Sequence, residues 1–236
     1  MPPEELPMQA RVPALAMGNN GRGTTRKADE TDVMATSLSI TGDTGLDTSR
    51  FSTVWTESFD SSFGRVSRVW GDVRITNGVA ILTSTEATNW APAGMMVPPS
   101  GASAGNGYGL YTIRAEADDN EGPGPFACLW PATDVWPGPE LDIFEKASQA
   151  NNSGYSAIHW ADANGENRYE VYYFPTSINL NDLHTYAMDW ADDHISLYID
   201  NALIYSTNAN VPKDFAHGGQ NSAFGAGMQP AWAASQ

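Results

Sequence analysis

The sequence predicts an all-β protein built as two antiparallel sheets packed face to face, and three observations lead there. The 236 residues include 22 Gly and 15 Pro beside eight Trp, nine Tyr and eight Phe, with no long stretch of helix formers; short strands joined by many turns have this composition. Apolar residues recur at every second position over short runs, the period of a strand with one buried face. Turn-forming pairs such as Asn77-Gly78 and Asn164-Gly165 separate those runs, as in a sandwich. The length suits one large core.

Taken in order, residues 1–32 are rich in Pro, Gly, Thr and charge without a sustained period, and are expected to form a flexible leader. Val33–Ile40 is expected as a first, edge strand, followed by turns at Gly42-Asp43 and Gly45. Asn77-Gly78 should open a strand over Val79–Thr83, and residues 98–107 form a Gly/Ser/Ala-rich connection. Tyr108–Ala117 sets Tyr111, Ile113 and Ala115 against Thr112, Arg114 and Glu116, the pattern of a half-buried strand. Phe126–Trp130 is an apolar strand whose Cys128, the chain's one cysteine, reads as a small core residue. Ser156–Trp160, Arg168–Phe174, Leu183–Trp190 and His194–Asn201 are four further strands, and no internal repeat is visible.

The chemistry concentrates in Glu140-Leu141-Asp142-Ile143-Phe144-Glu145. Side chains of an extended strand alternate, so Glu140 and Asp142 share a face and Glu145 falls on the other. A bulge at Ile143 or Phe144, two residues opposing one, returns Glu145 to the face of the first two. Crowded carboxylates repel, so at least one holds its proton more tightly. Glycoside hydrolysis uses such a pair: one ionised carboxylate attacks the anomeric carbon, one protonated carboxyl serves the leaving oxygen, and a gap of roughly 5–5.5 Å implies retention. A solvated acidic strand or half of a calcium site fits the same spacing.

This hexapeptide resembles the Glu-x-Asp-x-x-Glu signature of glycoside hydrolase family 16. Four other segments resemble that family in order: Trp55-Thr56-Glu57-Ser58-Phe59-Asp60, Tyr108–Arg114, Leu183–Trp190 and His194–Asn201. The resemblance covers roughly Phe51 to Tyr205. It implies a concanavalin-like jelly roll with a concave substrate groove over residues 33–236, Glu140 as nucleophile, Glu145 as acid/base and Asp142 between them. It departs at Pro125–Trp130, where the aromatic is displaced by one residue, and at Asn201, where Gly is usual. The family's closing Asp-Tyr-Val-Arg-Val-Tyr strand has no counterpart before Gln236, so either the chain ends early or Val33–Ile40 fills the vacant edge.

Flat aromatic rings suit the apolar faces of sugars, which makes Trp136 the first expected platform, then Trp130 and Trp160, then Trp90. His159, on the strand after the acids, is expected to bond substrate or a carboxylate. Core packing is the competing reading for each Trp, and His184 reads as structural.

A formal charge of -16 with 12 Lys+Arg disfavours nucleic acid and anionic membrane surfaces as partners. No run of about 18 apolar residues and no signal-peptide pattern occurs, yet a secreted, extracellular monomer is expected. No metal ligand set and no required cofactor are read from the sequence; a structural calcium, found in many relatives, is left open. The resulting expectation is an endo-acting retaining hydrolase of a β-linked polysaccharide, β-glucan or bacterial exopolysaccharide; a non-hydrolytic carbohydrate-binding jelly roll and a transglycosylase are the alternatives. The Trp130-Pro131-Ala132 and Trp136–Glu140 segments look closer to exopolysaccharide-cleaving members than to laminarinases.

Overall fold

The computed structural model describes residues 35–41, 49, 51–97, 106–118, 123–146 and 154–229, so the expected leader over residues 1–32 lies outside the described residues. The strands are β1 (Ala35–Thr41), β2 (Arg68–Trp70), β3 (Asp72–Thr76), β4 (Val79–Thr85), β5 (Gly94–Val97), β6 (Gly109–Ala117) and β7 (Pro125–Pro131). They continue with β8 (Glu140–Glu145), β9 (Tyr155–Ala161), β10 (Asn167–Tyr173), β11 (His184–Trp190), β12 (Ile195–Ile199), β13 (Ala202–Thr207) and β14 (Ser222–Met228). Seven strands form one sheet in the order β13-β12-β11-β6-β1-β4-β3, and five form the other as β10-β9-β8-β7-β14. The β2-β5 pair joins the second sheet's side through the Met228 N–H, which donates to Ala93 O at 2.8 Å.

Local chemistry sets the hairpins. Asn77 (φ 51) and Gly78 (φ 76) turn β3 into β4, and Asp200 (φ 50) and Asn201 (φ 67) turn β12 into β13. Two successive positive φ values match the right-handed twist of the strands they join, and Asn accepts that conformation more readily than most side chains.

Period-two patterning then decides which side is dry. Ile113, Ala115 and Ala117 of β6 and Tyr186, Met188 and Trp190 of β11 are buried between the sheets, as the alternation predicts. Phe144 of the five-stranded sheet meets Tyr186 of the other with ring centroids 4.6 Å apart, and Phe224 meets Tyr111 at 5.4 Å. Burying a large apolar side chain contributes roughly 1.5–3 kcal/mol, so this shared layer holds the sheets together. Trp190 keeps its polar edge satisfied by donating to Pro212 O at 3.0 Å.

Two expectations are corrected. β1 is no edge strand: it pairs antiparallel with β4 on one side and β6 on the other, so the place beside β6 is filled. Alternation reports which face of a strand is buried and says nothing of how many neighbours it has. β14 was not anticipated, because Ser222-Ala223-Phe224-Gly225-Ala226-Gly227-Met228 has the glycines that normally weaken a strand. It pairs residue for residue with β7 and is buried throughout.

Candidate active site

Strand β8 carries the acids, and its neighbours fix their direction. Against β7, Cys128 pairs with Asp142 and Phe126 with Glu145; against β9, Ala157 pairs with Asp142, Tyr155 with Glu145 and His159 with Glu140. Between those pairs β7 and β9 advance two residues while β8 advances three. Ile143-Phe144 thus oppose a single residue on each neighbour, a bulge recorded on both sides. Because β9 alternates regularly through Tyr155, Ala157 and His159, the three acids opposite them share one face. Ile143 and Phe144 both go into the inter-sheet core instead.

All six residues of β8 are buried, Glu140 at 3%, Asp142 at 0% and Glu145 at 4% exposure. Their surroundings are polar enough to hold them. His159 places Nε2 3.5 Å from Asp142 Oδ2, while its Nδ1 lies 3.3 Å from Asn167 Oδ1. Gln229 Nε2 donates to Glu145 Oε1 at 3.4 Å. Just past the strand, Lys146 donates from Nζ to Asp118 O (3.2 Å) and Asn181 Oδ1 (3.1 Å), which ties the end of β8 to both flanking segments.

Above Glu140 stands an aromatic array. Trp136 stacks on Trp130 with centroids 5.3 Å apart and planes 4° from parallel, and lies 5.5 Å from His159. His159 in turn stacks on Tyr169 at 5.4 Å. Trp136 is half-buried and offers a ring surface; Trp130, only 3% exposed, backs it and donates from Nε1 to Asp134 Oδ1 at 2.9 Å. Trp130 is therefore support for a platform rather than a platform.

Two expected binding residues stand elsewhere. Trp160 follows His159 on β9, so it takes the opposite face and packs against the hydrophobic core. Trp90 lies in the β4–β5 connection with φ 53, its N–H bonded to Thr85 O at 2.8 Å. Arg168 pairs with Asp162 (2.6 Å) and Glu166 (2.8 Å) on the solvated surface, and His184 sits between Asp200 (2.6 Å) and Asn179 O (3.1 Å) as a structural residue.

Some site residues escaped the sequence reading. Cys128 is buried but stands on the acid face, opposite Asp142, and its Sγ lies within 4.8 Å of carboxylate oxygens of Glu140 and Asp142. It is fully buried, as expected of a small core residue, and shares its face with Trp130, two residues along the same strand. Tyr169 and Tyr173 of β10, opposite His159 and Tyr155, are 61% and 78% exposed on the same side as the acids. Tyr155 and Tyr173 meet edge to face at 5.9 Å beside Glu145.

Comparison with known proteins fits this arrangement. The sequence profile of "Glycosyl hydrolases family 16" matches residues 71–233. Two curated relatives from Rhizobium meliloti (strain 1021) are similar: endo-1,3-1,4-beta-glycanase ExsH, 30% identical over 152 residues, and endo-1,3-1,4-beta-glycanase EglC, 27% identical over 149. Each alignment covers 59% of this chain and 30% of the longer relative. Among solved structures, the laminarinase from Rhodothermus marinus aligns at TM-score 0.48 with 20% identity, over 68% of this chain and 70% of that one. The Bacillus licheniformis beta-glucanase aligns at TM-score 0.46 with 14% identity, over 73% and 83%. With the profile spanning most of the chain and the buried acid strand inside it, this protein belongs to glycosyl hydrolase family 16.

Proposed function

We propose that this chain is an endo-acting, retaining glycoside hydrolase that cleaves a β-linked glucan by double displacement. The observation that carries the reading is the bulge that brings Glu140, Asp142 and Glu145 to one buried face. Glu140 and Glu145 stand opposite His159 and Tyr155, four residues apart on β9, or about 13 Å between backbone positions. Two glutamate side chains leaning toward each other shorten that to about the carboxyl gap of a retaining enzyme.

In the proposed reaction Glu140 attacks the anomeric carbon while Glu145 gives its proton to the departing glycosidic oxygen. Water, deprotonated by Glu145, then releases the sugar from Glu140. Asp142, its Oδ2 3.5 Å from His159 Nε2, stands between Glu140 and Glu145 on the same face and acts on the pair electrostatically. Trp136 offers a sugar face beside Glu140, with Tyr169 and Tyr173 further along the same side. Only carboxyl groups and water enter these steps, so no cofactor is needed. A polymer-cleaving role implies work outside the cell, and a monomer suffices for it.

The names of the Rhizobium relatives favour a glucan with 1,3 and 1,4 linkages as the first substrate to test, with bacterial exopolysaccharide next. A panel of laminarin, mixed-linkage glucan and exopolysaccharide, assayed for new reducing ends and for the anomer first released, tests the reading. Retained β-configuration and loss of turnover in Glu140→Gln and Glu145→Gln are expected. Binding without product from the unaltered protein would refute it in favour of a carbohydrate-binding module, and glycosyl transfer to an added acceptor would mark a transglycosylase.

A further inference from the structure

The bulge that turns Glu145 has a fastening that reaches across the sandwich. Ser156 of β9 is fully buried and stands opposite Ile143 and Phe144, between the Ala157–Asp142 and Tyr155–Glu145 pairs. Its Oγ lies 2.5 Å from the backbone carbonyl oxygen of Asp142, where the regular ladder is interrupted. A carbonyl only accepts, so the serine hydroxyl donates there. Its one proton is thereby used, and the 2.9 Å contact with Tyr205 Oη must run from tyrosine to serine. Tyr205 belongs to β13 in the opposite sheet, and its ring stacks on Tyr172 of β10 at 3.9 Å with planes 6° apart. Burial raises the Tyr205 hydroxyl well above its ordinary pKa, so it stays a proton donor wherever the protein is folded.

We propose that Tyr205 and Ser156 are positioning residues: their hydroxyls, in series, fix the Asp142 carbonyl at the head of the bulge and so set Glu145 against Glu140. The inference rests on the hydrolase reading above. Neither hydroxyl touches the groove face, since Ser156 alternates with Ala157 toward the opposite sheet. Their contribution is to the aim of the acid. A misplacement of about 1 Å at the reacting centre lowers rates about a hundredfold.

Leaving-group dependence separates positioning from general loosening. A sugar oxygen needs Glu145's proton to depart; a 2,4-dinitrophenolate does not. Wild type, Tyr205→Phe, Ser156→Ala, the double variant and Glu145→Gln are compared on mixed-linkage β-glucan and on a 2,4-dinitrophenyl β-glucan-oligosaccharide. Tyr205→Phe keeps the ring stack, so its Tm is expected within about 5 °C of wild type. On polymer, Tyr205→Phe and Ser156→Ala lose about tenfold to a hundredfold in kcat with KM within about twofold. The initial dinitrophenolate burst changes less than about threefold, and the double variant is no worse than Ser156→Ala, because the two hydroxyls act as one unit. Equal losses on both substrates would overturn the inference, as would unchanged polymer turnover in Tyr205→Phe when Glu145→Gln abolishes it; both leave the hydrolase reading standing. Wild-type protein that binds glucan yet releases neither reducing ends nor dinitrophenolate overturns that reading and the inference with it.

Discussion

Deleting Ile143 leaves every strand pair of the acid strand in place and straightens the backbone between them. Phe144 still meets Ala127, and Glu145 still meets Phe126 and Tyr155, because the deleted residue is the surplus one. The remaining Glu140-Leu141-Asp142-Phe144-Glu145 alternates regularly, so all three carboxylates continue to face the groove. The loss is in packing: Ile143 is fully buried in the core cluster, and removing such a side chain costs about 2–4 kcal/mol. For a chain of this size that lowers Tm by about 4–16 °C. Thermal unfolding followed by circular dichroism reads the stability, and reducing-end release reads the catalysis, expected within about tenfold of wild type because the acids keep their side and neighbours. Inserting one alanine between Phe144 and Glu145 does the reverse: it turns Glu145 toward the inter-sheet core and removes general acid catalysis, about 10²–10⁴ in kcat. A folded Ile143 deletion as inactive as Glu145→Gln would refute the parity argument, and so would an insertion variant of wild-type activity.

Trp136→Ala removes the half-buried ring beside Glu140, so KM on polymer should rise about tenfold with kcat within about twofold; steady-state kinetics that show the loss in kcat alone would contradict a platform. Asp214 predicts acid lability. Burial by itself would raise its pKa, but hydrogen bonds from the His217 ring (2.7 Å) and from the backbone N–H groups of Tyr108 (3.1 Å) and His217 (2.9 Å) outweigh that and hold it below the usual value. A depressed folded-state pKa adds stability that is complete above the unfolded value near about 3.9 and is lost as pH falls through the folded value. Asp214→Asn should therefore lower Tm at pH 7, by about 1–3 kcal/mol of lost stability, and flatten the fall of Tm with acid; an unchanged acid limb refutes this. Asn201→Ala places a side chain ill suited to φ 67 in the β12–β13 turn and should cost about 1–2 kcal/mol in urea unfolding, against little or no loss for Asn201→Gly.

Much of the site was legible from residue spacing, because side-chain direction in a strand is a matter of counting. Three acids at positions 140, 142 and 145 require one irregularity to share a face, and that irregularity lies at Ile143-Phe144. The same counting, carried through, excludes Trp160 from the face of His159 and puts Cys128, buried as expected, on the face of Trp130. The turns at Asn77-Gly78 and Asp200-Asn201 were equally local, since backbone sterics set them.

What the chain's own periodicity could not convey is adjacency. Whether β1 stands at an edge or between β4 and β6, whether Trp130 lies open or beneath Trp136, and that a tyrosine of the opposite sheet reaches the bulge through Ser156, all depend on partners distant in sequence. Alternation encodes one bit per residue, inward or outward. The identity of the neighbour is decided by how two sheets pack, and only the folded arrangement holds that information.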